Sequence, residues 1–81
     1  METQLEIRLP DLGDVGAVRV VAWLIEDGAL MAEGDDLVEV ETEKTTFVVP
    51  APSAGRLAEI VAAEGATLER GGLLGRIEPP A

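Results

Sequence analysis

Apolar and polar residues alternate strictly through Leu5-Glu6-Ile7-Arg8-Leu9, the two-residue period of a half-buried strand, and Pro10 closes the run. Asp11-Leu12-Gly13-Asp14-Val15-Gly16 follows, a loop by its glycines and aspartates. Val18 to Ile25 reads as the next strand, and Glu26-Asp27-Gly28 as a turn whose Asp-Gly pair supplies a positive φ. A second turn is expected at Glu33-Gly34-Asp35-Asp36. Leu37-Val38-Glu39-Val40-Glu41 alternates again, with Val38 and Val40 on one face and both glutamates on the other. Beyond Thr42-Glu43-Lys44-Thr45 the strand pattern resumes at Phe47-Val48-Val49. Two prolines in Pro50-Ala51-Pro52-Ser53-Ala54-Gly55 then break it, as at an edge or corner. No stretch carries a helical apolar stripe, so little or no helix is expected.

The pattern repeats. A shift of 37 positions pairs Arg19 with Arg56, Gly28 with Gly65, Ala29 with Ala66, Gly34 with Gly71, Leu37 with Leu74 and Glu41 with Glu78. Apolar positions agree at the same shift: Val20 with Leu57, Trp23 with Ile60, Leu24 with Val61, and Val40 with Ile77. Recurring turn glycines mean recurring backbone bends. Two copies are too few for a solenoid. They fit an all-β flattened barrel or sandwich of two four-stranded halves related by a pseudo-two-fold axis. One half ends near Glu41 and the other begins past Thr45. Thr42 to Thr45 is therefore expected to be a tight hairpin at one end of the molecule, opposite the chain termini. Glu43 and Lys44 fall at its two central positions, and with neither a glycine a type I turn is expected.

Composition narrows the chemistry. The chain has 81 residues and no cysteine or histidine, which removes disulfides, thiolate metal sites and the commonest general base together. A domain this short buries only about 60% of its unfolded surface. Sixteen acidic residues against six basic give a net charge of −10, which disfavours nucleic acid and anionic membranes and favours basic patches on protein partners. The acids also serve simply to keep a small domain soluble. Trp23 and Phe47 are the two aromatics, too few for a base-stacking platform, and Trp23 is assigned to the core. Asp11, Asp14, Asp35 and Asp36 lack the spacing of a calcium loop, and no metal site is expected. The first residues carry no secretory signal, and no apolar run is long enough to span a bilayer, so the chain is placed in the cytoplasm.

Lys44 is the only lysine. An amine forms a stable amide where a guanidinium does not serve. At a hairpin tip it holds an attached arm clear of the body, although the spacing alone favours an ordinary surface lysine. Glu41 and Glu43 flank it, a setting that suits modification by a dedicated ligase. A self-reactive catalytic lysine needs cationic or apolar neighbours instead.

Read whole, Val38-Glu39-Val40-Glu41-Thr42-Glu43-Lys44-Thr45, followed by Val48-Val49-Pro50-Ala51-Pro52 and Gly55, resembles the attachment site of the lipoyl domain family. Leu9-Pro10-Asp11-Leu12-Gly13-Asp14 resembles the family's first strand and loop. Trp23-Leu24, Asp27-Gly28 and Glu33-Gly34-Asp35 with Leu37 resemble the region before its modified hairpin. The resemblance covers nearly the whole chain. Glu43 stands where an aspartate is usual, which keeps the charge on a longer side chain.

The resemblance implies a carrier that is not by itself an enzyme and has no catalytic residues of its own. It implies lipoate attached to Lys44 through an amide, with Glu41, Thr42, Glu43 and Thr45 as recognition residues around the hairpin. It further implies Gly13, Asp14 and Val15 as a partner loop, closer to the pyruvate-type transferases than to other branches. The implied partners are a lipoyl ligase or transferase, a thiamine diphosphate-dependent 2-oxo acid decarboxylase, an acyltransferase core and dihydrolipoamide dehydrogenase. The arm would carry acyl groups and reducing equivalents between their active sites in a 2-oxo acid dehydrogenase complex. The domain itself is expected to be monomeric and to span residues 1–78, with 79–81 the start of an Ala/Pro linker or tail. Two other functions stay open. One is a biotin carrier of a carboxylase, disfavoured because methionines normally flank that lysine and here the neighbours are Glu43 and Thr45. The other is an unmodified interaction module.

Overall fold

The computed structural model describes residues 4–10, 16–69 and 71–79. Eight strands follow in order: β1 (Leu5–Arg8), β2 (Val18–Trp23), β3 (Leu30–Met31), β4 (Asp36–Glu41), β5 (Thr46–Pro50), β6 (Gly55–Ile60), β7 (Thr67–Leu68) and β8 (Leu73–Glu78). No helix occurs among the described residues. The strands form two antiparallel four-stranded sheets, sheet A in the order β1-β8-β6-β3 and sheet B in the order β5-β4-β2-β7.

The expected repeat is present strand for strand. β2, β3 and β4 map onto β6, β7 and β8 at the 37-residue shift, register included: Arg19 faces Glu41 as Arg56 faces Glu78, and Val20 faces Val40 as Leu57 faces Ile77. Both pairs carry a bulge at the same place, between Val20 and Ala22 and between Leu57 and Glu59. The short strands are exchanged: β3 pairs with β6 of the second half, and β7 with β2 of the first. The hairpin after Glu41 belongs to sheet B, while the outermost strands of the chain, β1 and β8, lie together in sheet A.

Alternation explains which side chains fill the space between the sheets. Ile7, Val20, Val40, Leu57 and Ile77 are each 1% exposed or less, and every such side chain contributes about 1.5–3 kcal/mol on burial. Several features differ from the sequence expectation. The strand from Val18 stops at Trp23, because the chain bends at Leu24 and Ile25 towards the turn at Gly28, whose φ is +87°. β1 ends at Arg8, although the Leu9 N–H still donates to the Gly72 carbonyl at 3.0 Å. In β4 the alternation is interrupted by a bulge between Asp36 and Val38, so Leu37 and Val38 are both fully buried.

Trp23 packs against the core, half-buried, and its Nε1–H donates to the Ala62 carbonyl at 2.7 Å. Its ring lies over Gly75, where a Cβ would stand 3.3 Å from the ring and 2.5 Å from the Glu59 carbonyl oxygen. Only a residue without a side chain admits that approach.

Candidate functional site

β4 and β5 run in register to the pair Glu41–Thr46, and the Thr42 N–H then donates to the Thr45 carbonyl at 2.8 Å. Two residues remain to reverse the chain, Glu43 and Lys44, and both are exposed. No described residue other than glycine has a positive φ. The primed hairpin turns are thereby excluded, and the backbone agrees with the turn class expected from the absence of glycine.

The side chain of Thr42 stabilises this reversal. Its hydroxyl accepts from the Lys44 N–H at 3.1 Å and from the Thr45 N–H at 3.0 Å, and donates to the Thr45 carbonyl at 3.0 Å. One donor and two acceptor positions are all that a hydroxyl offers, and all three are engaged. Thr42 is 7% exposed and is the one buried polar residue among those described. The hydroxyl takes an acceptor role that a backbone carbonyl often fills in a tight turn, and so fixes the backbone of Lys44 while its side chain stays in solvent.

Glu41, on the last rung, does not reach towards the tip alone: Arg19 Nη2 lies 2.7 Å from its Oε1. The side chains are 58% and 44% exposed, so the pair is worth under about 1 kcal/mol and serves to orient rather than to stabilise. The same pair recurs as Arg56–Glu78 at 2.8 Å, at the identical separation of 22 residues. Arg19 was not among the site residues expected from sequence. The signal was present, since the repeat matched both arginines and both glutamates.

The structure thus brings together Glu41, Thr42, Glu43, Lys44 and Thr45 at the end of one ribbon and adds Arg19. The proposed partner loop, Gly13, Asp14 and Val15, lies outside the described residues. Among the described residues no cluster of three or more acidic, cysteine or histidine side chains could hold a metal ion. No described helix is long and apolar enough to cross a membrane. A covalent arm requires no cavity, only an accessible amine on a fixed backbone, and the donor set at Lys44 meets that requirement.

A family model for biotin/lipoyl attachment, described as biotin-requiring enzyme, matches residues 5–77. The chain is 47% identical over 74 residues to the dihydrolipoyllysine-residue succinyltransferase component of the 2-oxoglutarate dehydrogenase complex of Bartonella vinsonii subsp. berkhoffii. It is 32% identical over 76 residues to the acetyltransferase component of the Staphylococcus aureus (strain Mu50) pyruvate dehydrogenase complex. These alignments cover 90% and 93% of the chain but span only 18% of the length of either relative. Among solved structures, the lipoyl domain of the 2-oxoglutarate dehydrogenase complex from Azotobacter vinelandii superposes with a TM-score of 0.77 at 30% identity, covering 94% of this chain and 98% of that one. A single-chain long-chain acyl-CoA carboxylase shares the fold, with a TM-score of 0.79 at 24% identity over 96% of this chain and 7% of its own.

Proposed function

Since the chain belongs to the biotin/lipoyl attachment family and is a lipoyl domain, we propose that Lys44 carries lipoate in amide linkage and that the domain shuttles acyl groups and reducing equivalents within a 2-oxo acid dehydrogenase complex. One observation carries this above all: the only lysine of the chain stands exposed at the centre of a hairpin whose backbone is pinned from within. When attached, the dithiolane supplies reversible thiol–disulfide chemistry and a thiol able to carry an acyl group.

The protein's own share is presentation. Lys44 Nζ offers the amine to a lipoyl ligase or transferase. The Thr42 hydroxyl holds the peptide amides of Lys44 and Thr45, so the point of attachment is fixed and mobility is confined to the side chain and arm. Glu43 and the Arg19-bound Glu41 frame the tip with charge that a modifying enzyme can read. Visits to a thiamine diphosphate-dependent decarboxylase, an acyltransferase core and dihydrolipoamide dehydrogenase are the corresponding partner assignment. The relatives named above are components of complexes of this kind.

Intact mass spectrometry after incubation with a lipoyl ligase tests the assignment. The expected result is a gain of one lipoyl group on the native chain and none on Lys44→Arg. A folded chain that stays unmodified, or a gain that survives Lys44→Arg, refutes it. Capture on streptavidin after incubation with a biotin ligase would transfer the site to the biotin branch of the family.

A further inference from the structure

The pseudo-two-fold makes each sheet a control for the other, and their outer faces differ. In sheet A one rung reads Glu6–Arg76–Glu59 across β1, β8 and β6. All six charged residues on the strands of that sheet are in ion pairs: Glu6 with Arg8 at 2.9 Å, Glu59 with Arg76 at 2.7 Å, and Glu78 with Arg56 at 2.8 Å. The equivalent rung of sheet B reads Val48–Glu39–Ala22 across β5, β4 and β2. Glu39 occupies the place of Arg76, and the acids on either side have become apolar. Val48 is 40% exposed and Val21, the extra residue of the bulge, 37% exposed. Glu39 has no ion-pair partner among the described residues.

This face adjoins the candidate site. Between the Glu39 rung and the hairpin lies a single polar rung, Thr67–Arg19–Glu41–Thr46. An enzyme that forms a bond at Lys44 Nζ must seat the hairpin itself. A specific protein contact covers roughly 800 Å² per partner, about one sixth of the 4855 Å² surface of this domain. Four hairpin residues cannot supply that area, so the contact continues onto the sheet from which the hairpin springs.

We propose that the outer face of sheet B, centred on Glu39, is the docking surface for the enzyme that acylates Lys44, and that this enzyme meets Glu39 with a cationic side chain set among apolar ones. The proposal rests on Lys44 being the modified residue. Charge complementarity selects the occupant: a carboxylate between valine and alanine loses water on contact, and a cationic hydrogen-bond donor offsets that loss more fully than a neutral one. A net charge of −10 steers the same encounter. Sheet A, its charges already paired, offers no comparable demand.

Steady-state lipoylation by a lipoyl ligase, with the domain varied and lipoate and ATP saturating, is the test. Glu39→Arg is expected to raise KM for the domain about tenfold or more at unchanged kcat, since a like charge replaces a matched pair at the contact. Glu39→Gln, isosteric and uncharged, is expected to raise KM about threefold and to flatten its dependence on salt. Glu59→Gln, on sheet A, is expected to leave KM within about twofold. Thermal melts establish that each variant is folded, and the glutamine variant keeps the test decisive if arginine disturbs the sheet. Native KM and native salt dependence in both Glu39 variants, with the unaltered chain modified normally, overturn the docking proposal alone. Failure of the unaltered chain to be modified overturns the Lys44 assignment and this proposal with it.

Discussion

Replacing Thr42 by valine keeps the shape of the side chain and removes one oxygen, and with it three hydrogen bonds of 3.0, 3.1 and 3.0 Å. Each neutral hydrogen bond is worth about 0.5–1.5 kcal/mol net, and a donor left without partner or water costs about 1–3 kcal/mol. The three bonds are not three independent losses. Lys44 and Thr45 are exposed, so water can reach part of what the hydroxyl releases, whereas Thr42 itself is 7% exposed. A loss of about 2 kcal/mol results, equivalent to a fall in Tm of about 8–16 °C for a domain of this size. Thr42→Ser keeps the oxygen and is expected to fall by less than half as much. Differential scanning calorimetry gives the stability difference, and amide exchange by NMR at Lys44 and Thr45 shows whether it originates at the tip. A Thr42→Val chain that melts with the native one and protects both amides equally would falsify the role given to the hydroxyl.

Three further outcomes follow from geometry. Gly75→Ala places a methyl group 2.5 Å from the Glu59 carbonyl, a backbone atom that cannot swing aside, and is expected to cost about 3 kcal/mol in urea denaturation. Trp23→Phe leaves the Ala62 carbonyl without its 2.7 Å donor and is expected to lower stability by about 1–2 kcal/mol, followed by circular dichroism because the sole tryptophan is lost. A double-mutant cycle on Arg19→Gln and Glu41→Gln is expected to give a coupling below about 1 kcal/mol, and the matching cycle on Arg56 and Glu78 a similar value. Couplings above twice that bound would show that these surface pairs carry more of the fold than their exposure implies.

Much of the architecture was legible because the turns are written in glycine. Gly28 and Gly65 have φ of +87° and +91°, so a repeat detected in letters was a repeat in backbone conformation. The fixed shift loses its hold at the first strand. β1 matches β5 at 42 positions, with Ile7 and Leu9 buried as Val49 and Ala51 are. Residues 9–17 join β1 to β2 where only 51–54 join β5 to β6, and a constant offset cannot absorb that difference. Bulges were also out of reach. Val21 adds a residue to its strand without any glycine or proline to announce it, and the burial of both Leu37 and Val38 follows from pairing with a distant strand. At the site, Lys44 and its acidic neighbours could be picked out, but the function of Thr42 could not. A threonine that closes a turn and one that merely sits beside it have the same letter. The bareness of Glu39 likewise exists only by comparison with the rung it mirrors across the axis.

The pairing of β1 with β8 sets a clock on when the protein becomes usable. Leu5 pairs in register with Ile77, so β1 has no place in sheet A until β8 has been made and stands between it and β6. Sheet B has the same constraint in milder form, since β2 awaits β7. The lysine is therefore synthesised before the two-sheet scaffold that steadies it, and attachment of any group that requires the completed fold waits for β8 to take its place.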